Sequence, residues 1–282
     1  DIPLQGRIIH LADRVEILIR SGKHIFTQRE GILEAVQSSP YFDPELLEIL
    51  RELGAREYFW LDIMNQREGE SLGSADSLFG QASFGLEDLK ELAELFSGVI
   101  DETSQYTAAH SRNVAEVARA MAVQRGFSLL EGEEFYLAGL LHDIGKLSVP
   151  NEILNRKRKL TEEEFAIIRQ HPYYGHRILG SIPGFENIAR WAGTHHECLD
   201  GMGYPFGLEG QEIELGARIL AVADIFSALQ ENRPYRGQMA LSRTLEIMKK
   251  MGDEGQIDGR LVDDLAEEAP YFQSLIRQYD QA

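Results

Sequence analysis

Apolar residues in this chain recur at intervals of three and four rather than two. His110, Val114, Val117, Ala118 and Met121 fall on one helical face, and Leu89, Leu92, Phe96 and Ile100 mark another at near-heptad spacing. The same reading predicts helices near 107–125, 131–143, 161–170, 172–181, 185–196, 216–230, 240–251 and 258–268. Thr161-Glu162-Glu163-Glu164 reads as a capping box, with Thr161 as N-cap ahead of Phe165 and Ile168. No alternating run is long enough to suggest a sheet, so the fold is expected to be all-α, a helical bundle. Residues 65–85, rich in Gly, Ser and charge, read as a linker between a small N-terminal helical segment, 1–64, and a main domain, 86–282. The Leu89 helix is expected to pack on its own domain; a homodimer seam is the alternative.

The pattern also repeats. Leu4 to Leu18 aligns without gaps on Leu215 to Leu229, with identities at Leu4, Arg7, Ile8, Ala12, Asp13 and Leu18. Further on, Phe42-Asp43-Pro44-Glu45-Leu46 resembles Ile257-Asp258-Gly259-Arg260-Leu261. Residues 1–64 therefore read as a second copy of the back half of the main domain. Asp13 matches Asp224 in this alignment but has none of its partner histidines, so it is not expected to bind metal. His10 and His24, in the same segment, read as structural.

The polar residues set into the apolar pattern carry the chemistry. His142-Asp143 follows the apolar run Gly139-Leu140-Leu141, where an imidazole and a carboxylate each need a partner and a metal ion satisfies both. His110, His171, His195, His196 and Asp224 come from other helical segments, each joined to an apolar surface, which is how a metal site is built inside a bundle. Imidazole mixed with carboxylate suits Fe, Mn or Zn rather than calcium, and two carboxylates leave room for one to bridge a pair of ions. His176 stands about 140° around a helix from His171, so the two cannot face one ion and His176 reads as surface. Gly201 and Gly203 make the loop after His196 permissive, either as a plain turn or to bring backbone close to a ligand. Arg233 and Arg236 read either as helix-terminal cations or as forks for phosphate oxygens.

His142-Asp143-Ile144-Gly145-Lys146, then His195-His196-Glu197, then Asp200-Gly201-Met202-Gly203-Tyr204-Pro205 resemble the HD-GYP phosphodiesterases of bacterial cyclic-di-GMP signalling, a subgroup of the HD metal-dependent phosphohydrolases. His171-Pro172, the run Ala223 to Ala228 and Arg233-Pro234-Tyr235-Arg236 extend the likeness, in the family's order, over roughly residues 100–270. The resemblance implies an HD-domain fold and two divalent transition-metal ions, Fe or Mn first, with Zn, Ni or Co open. It assigns one ion to His110, His142, Asp143 and Asp224, with Asp143 bridging to a second held by His171, His195 and His196. Asp143 and Lys146 would be catalytic, with Lys146 beside the scissile phosphate. Lys146, Gly201, Gly203, Tyr204, Arg233 and Arg236 would line the substrate groove. The implied reaction opens cyclic-di-GMP to linear pGpG by a metal-activated hydroxide, with further cutting to GMP left open. Residues 1–64 would then be part of a first HD module, as in tandem HD/HD-GYP proteins.

Some members of that family hold a third ion on an acidic residue one turn before the first histidine. Tyr106 occupies that place here, and Asp101 and Glu102 fall off the histidine face of a continuing helix, so two ions are expected. Two rival functions remain. Another HD phosphohydrolase would act on (p)ppGpp, a dNTP or a hybrid cyclic dinucleotide; Gly203-Tyr204-Pro205 and Arg233-Pro234-Tyr235-Arg236 argue against the first two only. A receptor that senses the nucleotide without turnover would be expected to have lost a ligand, and none is lost.

Charge and cysteine usage narrow this further. With 46 acidic and 28 basic residues the net charge is −18, which argues against long nucleic acids but leaves a small dianionic nucleotide open. Cys198 is the only cysteine, so no disulfide forms within the chain, as expected of a reducing compartment, and Cys198 reads as loop packing. No apolar run approaches the roughly 20 residues that span a bilayer. Without a secretory signal or an initiating Met, the chain reads as a cytoplasmic protein or a soluble fragment of one, with a further N-terminal sensory or HD module open.

Overall fold

The computed structural model describes residues 2–68, 85–103, 109–156, 158–231 and 237–277. Among these there is no strand, as the periodicity anticipates, and no helix long and apolar enough to cross a membrane. Most of the expected linker, together with Tyr106, Arg233 and Arg236, lies outside the described residues. The chain divides into two compact units: the first holds the N-terminal helices with residues 161–166, and the second holds the remainder from the helix beginning at Leu86.

The first unit contains α1 (Leu4–Leu18), α2 (Arg29–Gln37), α3 (Pro44–Gly54) and α4 (Glu57–Glu68). Leu11, Val15, Ile32, Val36, Leu50 and Trp60 form its core, and the fully buried Trp60 satisfies its indole N–H on Gly54 O at 2.8 Å. Asp43 starts α3: its side chain accepts Glu45 N at 2.9 Å, with Pro44 at the first helical position, where a missing N–H costs nothing. Arg7 of α1 pairs with the same Asp43. His10 packs its ring against Phe42, and His24 caps a short 3-10 turn at Ile25–Thr27, so both are structural.

In the second unit α5 (Leu86–Thr103), α6 (His110–Gln124), α7 (Leu129–Leu141), α8 (Asn151–Leu154), α10 (His171–Gly180), α11 (Glu186–Thr194), α12 (Leu215–Gln230), α13 (Leu241–Asp253), α14 (Gly259–Glu267) and α15 (Ala269–Arg277) surround one core; α9 (Glu162–Ile168) precedes α10. Ser128 and Glu131 close a capping box that starts α7 at Leu129, two residues before the sequence expectation. Thr161 and Glu164 close the anticipated one at α9. α12 is apolar nearly all round, with Ile219, Leu220, Val222 and Phe226 fully buried, and it packs against α6, α7 and α11. Its Arg218 reaches Asp258 Oδ2 at 3.3 Å, and Asp258 caps α14 through Arg260 N. The same arginine-to-cap pairing, Arg7 to Asp43, joins α1 to α3 in the first unit.

Candidate metal centre

The helices α7, α9 and α11 are each followed, within three residues, by a histidine that closes the end. Such an end leaves carbonyls without an intrahelical partner. His142 Nδ1 lies 2.8 Å from Gly139 O, His171 Nδ1 2.8 Å from Ile168 O, and His195 Nδ1 2.6 Å from Ala192 O. An imidazole that donates from Nδ1 to a carbonyl is held in one tautomer and turns the Nε2 lone pair outward. Three rings are thereby aimed before any ion is present. His110 opens α6, and its Nδ1 faces the carboxylate of Glu231 at 3.0 Å, which also accepts Asn113 Nδ2 at 2.8 Å.

The outward faces converge. His171, His195 and His196 form one group of donor atoms; His110, His142 and Asp224 form a second; His142, Asp143 and His195 form a third, with the ligand atoms of each group within 4.8 Å of one another. Asp143 divides its two oxygens: Oδ2 lies 3.3 Å from His142 Nε2, and Oδ1 lies 3.2 Å from His171 Nε2. His110 Nε2 lies 3.2 Å from Asp224 Oδ1. Lys146, on the 3-10 turn Ile144–Ser148, places Nζ on Asp143 Oδ2.

Electrostatics separates the two ends of this cluster. Burial, with His142 and His171 alongside, pushes His195 down to about 3, and burial with His195 and His171 holds His196 well below the ordinary imidazole range. Both rings are therefore in the neutral form that binds metal. Burial opposes the charged forms of His110 and His142, yet Glu231 with Asp224 raises His110 and Asp143 raises His142. Asp143 and Asp224 stay well below the usual carboxylate range despite burial, Asp143 through Lys146 and His142, Asp224 through its hydrogen bond with His110 and the charge of His142.

The residues fit a divalent transition metal. The buried Nε2 atom of His195 has no hydrogen-bond partner, a costly arrangement for a polar atom that a metal ion relieves, and the donor set of imidazole and carboxylate matches the preference of such ions. All seven expected ligands lie in the described residues and gather at this place. Asp101 does not join them: it is buried at the end of α5 and accepts Ser111 N and Oγ at 3.3 and 2.8 Å, which anchors the start of α6. Ala109, directly ahead of His110, is not helical, so the helical angle from His110 does not place Asp101.

A loop closes one side of the cluster. Gly203 has no room for a side chain, since a Cβ there would lie 2.4 Å from Glu197 Cα, and Tyr204 N donates to His196 O at 3.2 Å. The Tyr204 ring lies 4.9 Å from the His196 ring and carries the Arg169 guanidinium 4.4 Å from its own centroid. Gly201 has φ +75°, which favours glycine. Cys198 is half-buried in this loop. His176 is not a plain surface residue: it is half-buried, its Nδ1 lies 3.0 Å from Ala189 O, and its ring packs edge-on to Phe206. Sequence reasoning missed Glu197, Glu231, Asn113 and Arg169 as neighbours of the cluster. Only the position of Glu197 directly after the histidine pair gave a hint.

Comparison with known proteins agrees with this arrangement. The profile of the HD domain family matches residues 94–261. The chain is 34% identical to the 3'3'-cGAMP-specific phosphodiesterase 1 of Vibrio cholerae, over 95% of this chain and 64% of that protein. It is 36% identical to the 3'3'-cGAMP-specific phosphodiesterase 3 of the same organism, over 87% of this chain and 54% of that protein. It is 33% identical to the cyclic di-GMP phosphodiesterase response regulator RpfG of Xanthomonas campestris, over 82% of this chain and 62% of that protein. The chain thus spans between about half and two thirds of the length of these curated relatives. With more than half of its residues inside the family match and the family's histidine and aspartate pair at the end of α7, this chain belongs to the HD domain family.

Proposed function

We propose that this chain carries the catalytic centre of a metal-dependent phosphodiesterase that opens a 3',3'-cyclic dinucleotide to the linear dinucleotide. The observation that carries this reading is Asp143 between two histidine clusters, with one oxygen turned toward each. His110, His142, Asp143 and Asp224 would hold one divalent ion, and Asp143, His171, His195 and His196 the other. Such a pair supplies Lewis-acid activation of water and neutralises charge on phosphate oxygens. The chain's own groups do the rest. The i−3 carbonyls orient His142, His171 and His195, and Glu231 orients His110. Lys146 supplies a fixed cation beside the bridging carboxylate, where charge on a phosphate oxygen would build. Gly201, Gly203 and Tyr204 form a wall on the His196 side, and Arg233 and Arg236 would add phosphate contacts.

Within this class the motifs favour cyclic-di-GMP, cut to pGpG. A second reading, the hybrid guanine–adenine ring, is favoured by two relatives that align along 95% and 87% of the chain and are named as 3'3'-cGAMP-specific. Protein loaded anaerobically with Fe(II) or with Mn(II) should hydrolyse at least one of the two, and the ratio of kcat/KM between them decides the substrate. Asp143→Ala should abolish turnover and lower metal content while keeping helicity. Binding of both dinucleotides with no turnover by the loaded protein would instead make it a receptor.

We also read residues 1–64 as a non-catalytic partial copy of the HD back half. The shared arginine-to-cap pairing of Arg7 with Asp43 and Arg218 with Asp258 supports this, as does Asp13, which joins no donor group among the described residues.

A further inference from the structure

Glu197 directly follows the His195-His196 pair, yet its carboxylate turns away from the cluster. It is 4% exposed and belongs to none of the donor groups. Its Oε1 accepts Phe206 N at 2.7 Å and its Oε2 accepts Leu208 N at 2.9 Å. A carboxylate so placed grips two backbone amides nine and eleven residues further along the chain, across the whole of the glycine-rich loop. Bonds of this kind are stronger than neutral ones, and both acceptors are needed because both partners are donors. The loop is fixed against the same short stretch in other ways: Tyr204 N donates to His196 O, and the Cα of Gly203 sits where only a glycine fits over Glu197. Tyr204, in the chain between His196 and the two gripped amides, packs its ring against His196 and carries the Arg169 guanidinium.

We propose that Glu197 is a positioning residue which fixes the Gly203–Leu208 loop, and with it Tyr204 and Arg169, in register with the His171–His195–His196 side of the centre. It touches neither metal nor substrate; it sets where the substrate-facing wall stands. The part of this inference that concerns substrate rests on the proposed phosphodiesterase reading, while the part that concerns the loop does not. Glu197→Gln keeps one acceptor but turns an N–H toward a backbone N–H, and Glu197→Ala removes both acceptors.

The test reads three quantities on the full chain: amide hydrogen exchange of the 199–209 peptide, metal content after loading with Mn(II), and the split of KM against kcat. In Glu197→Gln, exchange at Phe206 and Leu208 should accelerate about tenfold or more, which is the effect of losing one charge-assisted bond. Glu197→Ala should accelerate it further. Metal content should stay at the wild-type level, and KM for the cyclic dinucleotide should rise about tenfold with kcat changed much less. Unchanged exchange in Glu197→Gln would overturn the proposal, as would loss of metal in step with loss of activity, which would assign Glu197 to the centre. If Glu197→Ala fails to fold, the glutamine variant carries the test. If the wild-type protein cleaves no cyclic dinucleotide, the proposed function falls, and exchange with metal content still decides the role of Glu197.

Discussion

Gly145, between the His142-Asp143 pair and Lys146, supports a sharp test of the metal-centre geometry. A Cβ at this position would lie 1.9 Å from His171 O and 2.7 Å from Gly175 N, both backbone atoms of α10. No side chain can swing aside, so Gly145→Ala must push the start of α10 away from the turn that carries Asp143. Reaching even 3.0 Å from His171 O requires a shift of about 1.1 Å, and an unstrained 3.4 Å requires about 1.5 Å. Asp143 Oδ1 and His171 Nε2 are now 3.2 Å apart, so a shift of that size would carry His171 beyond the reach of an ion also bound to Asp143. Metal coordination tolerates about ±0.2 Å, several times less. We therefore expect Gly145→Ala to lose at least one ion per chain and to cut turnover on the order of a hundredfold, the usual effect of a 1 Å misplacement. Overpacking adds a destabilisation of about 1–3 kcal/mol. Elemental analysis and a thermal melt read both effects. Gly98→Ala is the control: Gly98 lies in α5 with open space around it, and alanine should stabilise that helix by up to about 1 kcal/mol. A Gly145→Ala protein with wild-type metal content and melting temperature would refute the close approach of turn and helix.

Three further outcomes follow from the same geometry. Asp13→Ala should leave metal stoichiometry and turnover unchanged, and a metal located at Asp13 would show the first unit to be more than a copy of the fold. Glu231→Gln should weaken metal affinity about 10- to 100-fold, because the group that orients His110 is lost, and competition with a chelator measures this. Metal-free protein should be most stable near pH 6.5, about the ordinary histidine pKa. Below that pH the unfolded chain takes up protons that His195, held down to about 3, and His196 refuse when folded, so stability falls by about 1.4 kcal/mol per pH unit for each ring. Above it His110 and His142, raised in the folded protein, still hold protons that the unfolded chain has released, so their contribution is lost as pH rises through their folded values. A melting temperature that climbs steadily as the pH falls from 6.5 to 4.5 would contradict this charge arrangement.

Most of the longer helices of the second unit were legible in the sequence from their apolar positions, and where a helix was expected the differences lie at its ends; the short α8 and α15 were not anticipated. The expected 131–143 and 185–196 overran α7 and α11 by two residues, because the ligands continue the pattern and the chain ends those helices with histidine side chains rather than with Gly or Pro. α15 escaped notice although Pro270 stands in its first turn, where proline is tolerated. His110, His142, Asp143 and Asp224 could be picked out because each is a polar residue joined to an apolar stripe, whereas His171, His195 and His196 stand among polar neighbours and were marked by the resemblance to the HD-GYP motifs. The residues that orient them were not legible. Glu231 meets His110 across 121 positions, and Glu197 meets Phe206 and Leu208 across a loop, so neither pairing has a local signature. Arg169 on Tyr204 is likewise created only by tertiary packing.

His142, His171 and His195 each end a helix with one ring nitrogen and offer the other to the centre. Losing such a residue removes a fold element along with a ligand. A lineage drifting from catalysis toward nucleotide sensing is therefore constrained in how it loses these ligands: an apolar replacement would fray the helix end, whereas a side chain that still donates to the i−3 carbonyl would silence the chemistry and spare the fold. On the proposed phosphodiesterase reading, Asn, Lys or Arg at these three positions would mark relatives in which the helices outlast the activity.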